Sequence, residues 1–310
     1  MIARGSGAVR TVPELIVGMR RVHAGRVIVD VWAQPTLGGR ADRLPMPEIT
    51  RLFEKSGSAA LIGKSVGPDE LVELMDKAGV DVLLLSAWHR PGGWVISNED
   101  VALFTRAHPG RFAGLASVNL ADPVGAVREL RRAVEELGFV GLRLVPWLWE
   151  LPPDHRLYYP LYTTCVELGI PFCTQVGHTG PLKPSETGRP VPYLDRVALD
   201  LPELVIVGGH IGYPWTDEMI GLTWKHDNVY IDTSAYLPRY YPPQLVHFMN
   251  TYGRGKVMFG TNWPQLPHDR ALAQVEQLGL SDEARADFLG GAARRVFRLP
   301  GGPATPVAGG

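Results

Sequence analysis

With 310 residues, 45% hydrophobic and 20% charged side chains and a formal net charge of −1, the chain has the makeup of a globular protein with a large core. No basic or acidic block interrupts it, which argues against nucleic acid or an anionic membrane surface as the main partner. There is no signal-like N-terminal stretch and no run of about 18 apolar residues, so a cytoplasmic protein acting on a small molecule is expected. Cys165 and Cys173 fall in a helical and a strand-like segment, without CxxC spacing. They read as buried apolar residues rather than a disulfide or a thiol centre.

Residues 1–25 are rich in Gly and Arg and read as an N-terminal extension; residues 301–310 read as a flexible tail. Between them, over 26–300, apolar runs alternate with amphipathic helical patterns. RVIVDVW is the first strand, followed by a Pro/Gly loop and the helix PDELVELMDKAG, whose Pro68 suits a start and Gly79 a C-cap. VDVLLLSAW (80–88) is the second strand, HRPGGW a loop, and SNED opens the next helix as a capping box. RFAGLASVN, FVGLRLVPW, IPFCTQVGH, the apolar run ending in GGHIGYPW, NVYIDTSA and KVMFGTNWP supply six more strands, each separated from the next by a helical stretch.

Eight βα units predict a single-domain α/β protein, a (β/α)8 TIM barrel, because parallel strands with right-handed crossovers close at that number. An open doubly wound sheet would carry a Gly-rich phosphate loop after its first strand, and VDVWAQP is not one. In such a barrel, chemistry sits at the C-terminal ends of the strands. Those ends carry Asp30, Trp32 and Gln34, Trp88 and His89, Ser117 and Asn119, Arg143 and Trp147, Gln175 and His178, His210, Asp232 and Ser234, and Asn262 and Trp263. Any one of them has a structural explanation, a capped loop or a plugged barrel mouth. Together they point to a ligand pocket. Arg143 is expected to bind a substrate carboxylate, Asp232 to orient a neighbour, and the tryptophans and Gln175 to line a flat or apolar ligand. His268 and Asp269 read as helix-capping residues.

His178 in QVGHTGP, His210 in GGHIGYPW, the strand NVYIDTSA and the terminal GTNWP together resemble the amidohydrolase superfamily. The branch is that of aminocarboxymuconate-semialdehyde and γ-resorcylate decarboxylases. The resemblance covers roughly residues 26–300, including FLGGAARRVFRL. It implies a divalent metal held by an HxH or ExH pair on the first strand, a His after the fifth and an Asp after the eighth, with a His after the sixth as acid/base. Carried over, the ligand pair falls on Trp32 and Gln34, the fifth-strand ligand on His178, the acid/base on His210 and the aspartate on Asn262. One strong ligand of four remains, so a barrel without a tightly bound metal is expected.

The resulting expectation is an enzyme that hydrolyses, or cleaves a C–C bond of, a small aromatic or unsaturated acid. His178 and His210 act as the proton pair and Gln34 and Asn262 as oxyanion donors. The alternatives are an enzyme holding one divalent ion, Zn or Mn, at His178 and His210, and a non-catalytic binding or scaffold barrel. The N-terminal extension and the loop PRYYPP are candidate surfaces for a homo-oligomer, such as a dimer.

Overall fold

The computed structural model describes residues 27–36, 47–58 and 64–300. The extension at 1–25 and the tail at 301–310 lie outside the described residues. In chain order the elements are β1 (Val29–Ala33), α1 (Pro47–Ser56), α2 (Pro68–Ala78), β2 (Val82–Ser86), β3 (Trp88–Arg90), β4 (Gly93–Ile96), α3 (Asn98–Ala107), β5 (Phe112–Ala116), α4 (Pro123–Glu135), β6 (Gly141–Leu144) and the single turn α5 (Pro146–Trp149). They continue with α6 (Tyr159–Leu168), β7 (Phe172–Gln175), α7 (Tyr193–Asp200), β8 (Ile206–Gly209), α8 (Thr216–Lys225), β9 (Val229–Asp232), α9 (Pro243–Asn250), β10 (Val257–Met258), α10 (His268–Val275), α11 (Asp282–Ala286) and α12 (Ala292–Val296).

Eight strands pair in the order β1-β2-β5-β6-β7-β8-β9-β10, every pair parallel. The ring is brought together where Val31 N–H donates to the Phe259 carbonyl at 3.1 Å and Gln34 N–H to that of Trp263 at 3.1 Å. The fold is the expected TIM barrel. Ser97 and Asp100 form the reciprocal capping box of α3, and Gly79 ends α2 in the left-handed conformation. Both cysteines are free and buried, and burial pushes the Cys173 thiol up to about 12.

Two elements differ from expectation. HRPGGW is a hairpin rather than a loop: β3 and β4 pair antiparallel, with Gly92 and Gly93 at positive φ making the reversal. The last strand pairs over only Val257–Met258, because its continuation turns inward to form the barrel mouth.

Packing follows the strand alternation. Residues such as Leu83, Leu85, Phe172 and Ile206 face the helices, in the larger cluster. Leu84, Leu115, Cys173, Val207 and Met258 face the barrel axis, where Ala292, Ala293 and Phe297 close the end opposite the strand C-termini. The C-terminal helix is therefore a plug. Phe297→Ala should destabilise the fold by about 3–5 kcal/mol, the usual range for emptying a buried aromatic site. Leu103→Ala, at a side chain 58% exposed on α3, should stay within about 0.5 kcal/mol. Denaturant titration of the two variants checks the difference.

Candidate active site

Trp32 lies at the centre of the barrel mouth. Its indole is 1% exposed and sits between two cationic or potentially cationic groups. The Arg143 guanidinium carbon lies 3.8 Å from the ring centroid, and the His210 ring packs at 4.8 Å with a 55° tilt. Glycines make the room. A Cβ on Gly209, the last residue of β8, would meet Trp32 Cζ3 at 2.5 Å, and one on Gly260 would meet Asp232 Oδ1 at 2.3 Å. The glycine pair that ends the His210 strand is thus required by the indole beside it.

Arg143 does not stand where its expected role as a carboxylate anchor places it. Its Nη2 donates to the Val31 carbonyl at 2.7 Å, its Nη1 to that of Ala33 at 3.4 Å, and the indole covers its face. At 1% exposure the guanidinium belongs to the barrel wall. Desolvation pulls its pKa down to about 10, with Cys173, Asp232 and Asp30 opposing the shift, so it stays charged at neutral pH.

His210, at φ 69°, is turned by the 3₁₀ turn that follows β8. Its Nδ1 lies 2.7 Å from Ser234 Oγ. Ser234 Oγ donates to Asp232 Oδ2 at 3.1 Å, and Ser234 N–H to Oδ1 at 2.7 Å. A three-group chain therefore runs from a fully buried carboxyl to a half-buried imidazole. Burial, then the charge of Arg143, then His178 hold the His210 pKa down to about 3, so the ring is neutral. Burial raises Asp232 to about 7, against the pull of Ser234 N–H and Arg143. The order is inverted relative to free side chains: the carboxyl, rather than the imidazole, gains and loses a proton near neutrality.

The charge state of Asp232 sets the hydrogen-bond direction. As a carboxylate it accepts from Ser234 Oγ, which then accepts from His210 Nδ1–H and leaves Nε2 as a base. As a protonated acid it donates to Ser234, which donates to Nδ1, and Nε2 carries the proton.

His178 stands at the exposed outer edge, within electrostatic range of His210. Its Nδ1 lies 3.3 Å from the Tyr213 carbonyl and 3.3 Å from Tyr236 Oη, which makes Nδ1–H the donor and leaves Nε2 free. Gln175 braces this turn, its amide donating to the His178 carbonyl at 2.9 Å, and so holds the loop. Gln34 and Asn262, expected as oxyanion donors, are spent on each other. Gln34 Nε2 donates to Asn262 Oδ1 at 3.2 Å, and Asn262 Nδ2 to Gln265 Oε1 at 2.6 Å. The second bond of Gln34, to the Asn262 backbone carbonyl at 3.4 Å, fixes that direction. What they leave open is an acceptor: Gln34 Oε1 is buried without a partner among the described residues.

Trp88 and Trp147 meet edge to face at 6.4 Å, and Trp263 stacks on His268 at 6.3 Å. Among the described residues the indole nitrogens of Trp32, Trp88 and Trp149 have no hydrogen-bond partner, nor does His89 Nδ1. Buried orphaned polar atoms are few in proteins, and these lie on segments that leave β1, β2 and β6 at the mouth, the arrangement of a wall built for a ligand.

The sequence marks three residues without showing what they do. Ser234 is one hydroxyl among many until its distance to His210 is known. His89 lies flat against Trp149 at 5.7 Å. His268 is buried and bonded to Asp30 Oδ2 at 3.0 Å, so it ties α10 to β1 rather than capping a helix. The one signal for it is HD following GTNWPQLP.

A family model for amidohydrolases matches residues 29–299. The chain belongs to the amidohydrolase family. It is 26% identical over 290 residues to a γ-resorcylate decarboxylase from Polaromonas sp., covering 74% of this chain and 87% of that protein. An uncharacterized TIM-barrel protein, Bb4693, from Bordetella bronchiseptica superposes with a TM-score of 0.73 at 24% identity, covering 88% of this chain and 98% of that one. A dihydroxybenzoic acid decarboxylase from Polaromonas sp., with bound manganese and the inhibitor 2-nitroresorcinol, superposes with a TM-score of 0.63 at 21% identity over 89% of this chain and 97% of that one. The present chain is an amidohydrolase-like enzyme.

The bound manganese in a protein of the same fold overturns the expectation of a barrel without a cofactor. The residues present do not reproduce a strong site for such an ion. Among the described residues no three His, Cys, Asp or Glu side chains come together as a ligand set. His178 offers a free Nε2, but Trp32, Gln34 and Asn262 stand where the resemblance implies the other donors, and His210 Nδ1 is taken by Ser234. A manganese titration followed by electron paramagnetic resonance tests the donor set. Asn262→Asp, which restores one anion, should tighten binding about tenfold or more, since a carboxylate beside a dication gains on the order of several kcal/mol even at an effective dielectric near 20. An unchanged affinity would place the ion elsewhere.

Proposed function

We propose that this protein removes the carboxyl group of a small aromatic acid as carbon dioxide, with His210 delivering the proton that replaces it. The observation that carries the reading is the Asp232–Ser234–His210 chain, a buried proton store wired to a neutral imidazole at the barrel mouth. The likeness to a γ-resorcylate decarboxylase supports the reaction class.

In the reaction the bond between ring carbon and carboxyl carbon breaks, CO2 leaves, and the electron pair remains on the ring carbon. His210 Nε2–H protonates that carbon, Ser234 passes its hydroxyl proton to Nδ1, and Asp232 passes its own to Ser234. Solvent then reprotonates Nε2 and the relay runs back, Nδ1 returning a proton to Ser234 and Ser234 returning its own to Asp232. Trp32, Trp88 and Trp147 exclude water around the ring, where a leaving carboxylate gains from losing its hydration. Arg143 acts from beneath the indole as a fixed charge that keeps His210 neutral and so able to return to its starting state. Gln34 Oε1 accepts a hydrogen bond from a ring hydroxyl. The unpaired cysteines suit a cytoplasmic setting, and a homo-oligomer is the proposed assembly.

Two measurements test this. With a panel of hydroxybenzoates followed by CO2 release, His210→Ala should lower kcat by about 10²–10⁴-fold, the range of a lost general acid. Turnover surviving intact would remove His210 from the reaction. The pH profile supplies the second. The Asp232 pKa is raised to about 7 and the acid form is the one that donates, so kcat/KM should fall as pH rises through about 7. Asp232→Asn, whose amide donates at every pH, should flatten that limb, and a limb that persists in the variant belongs to another group.

A further inference from the structure

A cavity of about 670 Å³ opens beside His178, between α1 and the loop that follows β7. Arg51, Lys55 and Lys183 line it, and among the described residues no carboxylate does. Arg51 and Lys55 lie one turn apart on the same face of α1, exposed and without an ion-pair partner among the described residues. Like charges at that spacing cost a helix a few tenths of a kcal/mol. Lys55 is at least favoured by its place in the last turn; Arg51 has no such reason to be there.

Lys183 comes from the opposite wall and is held by Glu150 at 2.7 Å, which leaves its other N–H groups free. The nearby acid Glu48 is engaged by both Nη groups of Arg90. Thr179, 6% exposed, also lines the cavity, and its Oγ1 has no hydrogen-bond partner among the described residues. The two walls are in close contact: a Cβ on Gly180 would lie 2.9 Å from Leu52 Cδ1, so the leucine tip would have to shift to admit one.

We infer that this cavity is a subsite for a second carboxylate, so that the natural substrate is an aromatic acid with at least two carboxyl groups. The inference rests on the proposed decarboxylation. Arg143, the cation first expected to take a carboxylate, is consumed by the barrel wall. The carboxylate that departs as CO2 is poorly served by an ion pair, which stabilises the ground state more than the transition state. Three cations and a hydroxyl outside the reaction centre therefore suit the carboxylate that stays. Arg51 supplies the two-pronged donor a carboxylate fits, and Lys55 and Lys183 supply charge.

The test compares benzoate with isophthalate, the 1,3-dicarboxylate, as ligands in low salt, by quenching of tryptophan fluorescence. Isophthalate should bind the intact protein at least tenfold more tightly. The Arg51→Gln/Lys55→Gln double variant, which keeps good helix formers, should lose that advantage and bind benzoate as the parent does. Equal affinity for the two acids, an advantage that survives the double substitution, or a matching loss of benzoate binding would each overturn the inference. So would displacement of isophthalate by equimolar inorganic phosphate, which would make the cavity a general oxyanion site. Decarboxylation of hydroxybenzoates without an isophthalate advantage would sink the subsite and leave the reaction standing. An isophthalate advantage without any decarboxylation would sink the reaction and leave an acid-binding subsite.

Discussion

A guanidinium buried in the barrel wall, with no carboxylate hydrogen-bonded to it among the described residues, is the constraint on which the site depends. The backbone carbonyls of β1 and the face of Trp32 take most of the Arg143 charge, and the carboxyls of Asp30 and Asp232 act on it through space. A charge so placed acts strongly on its surroundings because little solvent screens it. It disfavours a proton on His210 and favours a carboxylate at Asp232, while burial pushes Asp232 the other way. Both groups thereby acquire a protonation order that neither has alone.

The geometry makes that order usable. Ser234 is the shortest bridge between a buried carboxyl and an imidazole, and a hydroxyl donates and accepts with equal ease. The chain can reverse direction without any heavy atom moving. The glycines at 209 and 260 belong to the same design, since a Cβ at either would strike Trp32 or Asp232. The indole fills space that the family resemblance implies for a metal ligand, which is why the manganese in a protein of the same fold cannot be transferred by position alone.

Much of the site is legible from residues at strand ends. His210 and His178 stand out because an imidazole directly after an apolar strand has few structural reasons to be there. The expectation that Asp232 orients a neighbour also follows from its place in VYIDTSA, whereas its hydrogen bonds to Ser234 do not. The roles of Arg143, Gln34 and Asn262 are misread from residue type. A guanidinium after a strand looks like a ligand anchor until its hydrogen bonds to β1 are seen, and an amide looks like a donor until its N–H groups are found engaged. The hairpin at 88–96 is missed for a related reason: three-residue strands carry too little periodicity to separate from a loop.

The sequence by itself determined the barrel, its eight parallel strands and the family. All of these rest on local pattern: apolar runs of strand length, helix caps, and residues at fixed offsets from them. Only the tertiary structure decided which polar groups face the ligand and which are consumed by neighbours. It alone placed the cations of α1 opposite Lys183 and joined Asp232 to His210. Hydrogen-bond direction and electrostatic shift depend on partners more than 100 residues away in the chain, as Arg143 and β1 are, or Gln34 and Asn262. No local pattern encodes such pairings; they exist once the barrel closes.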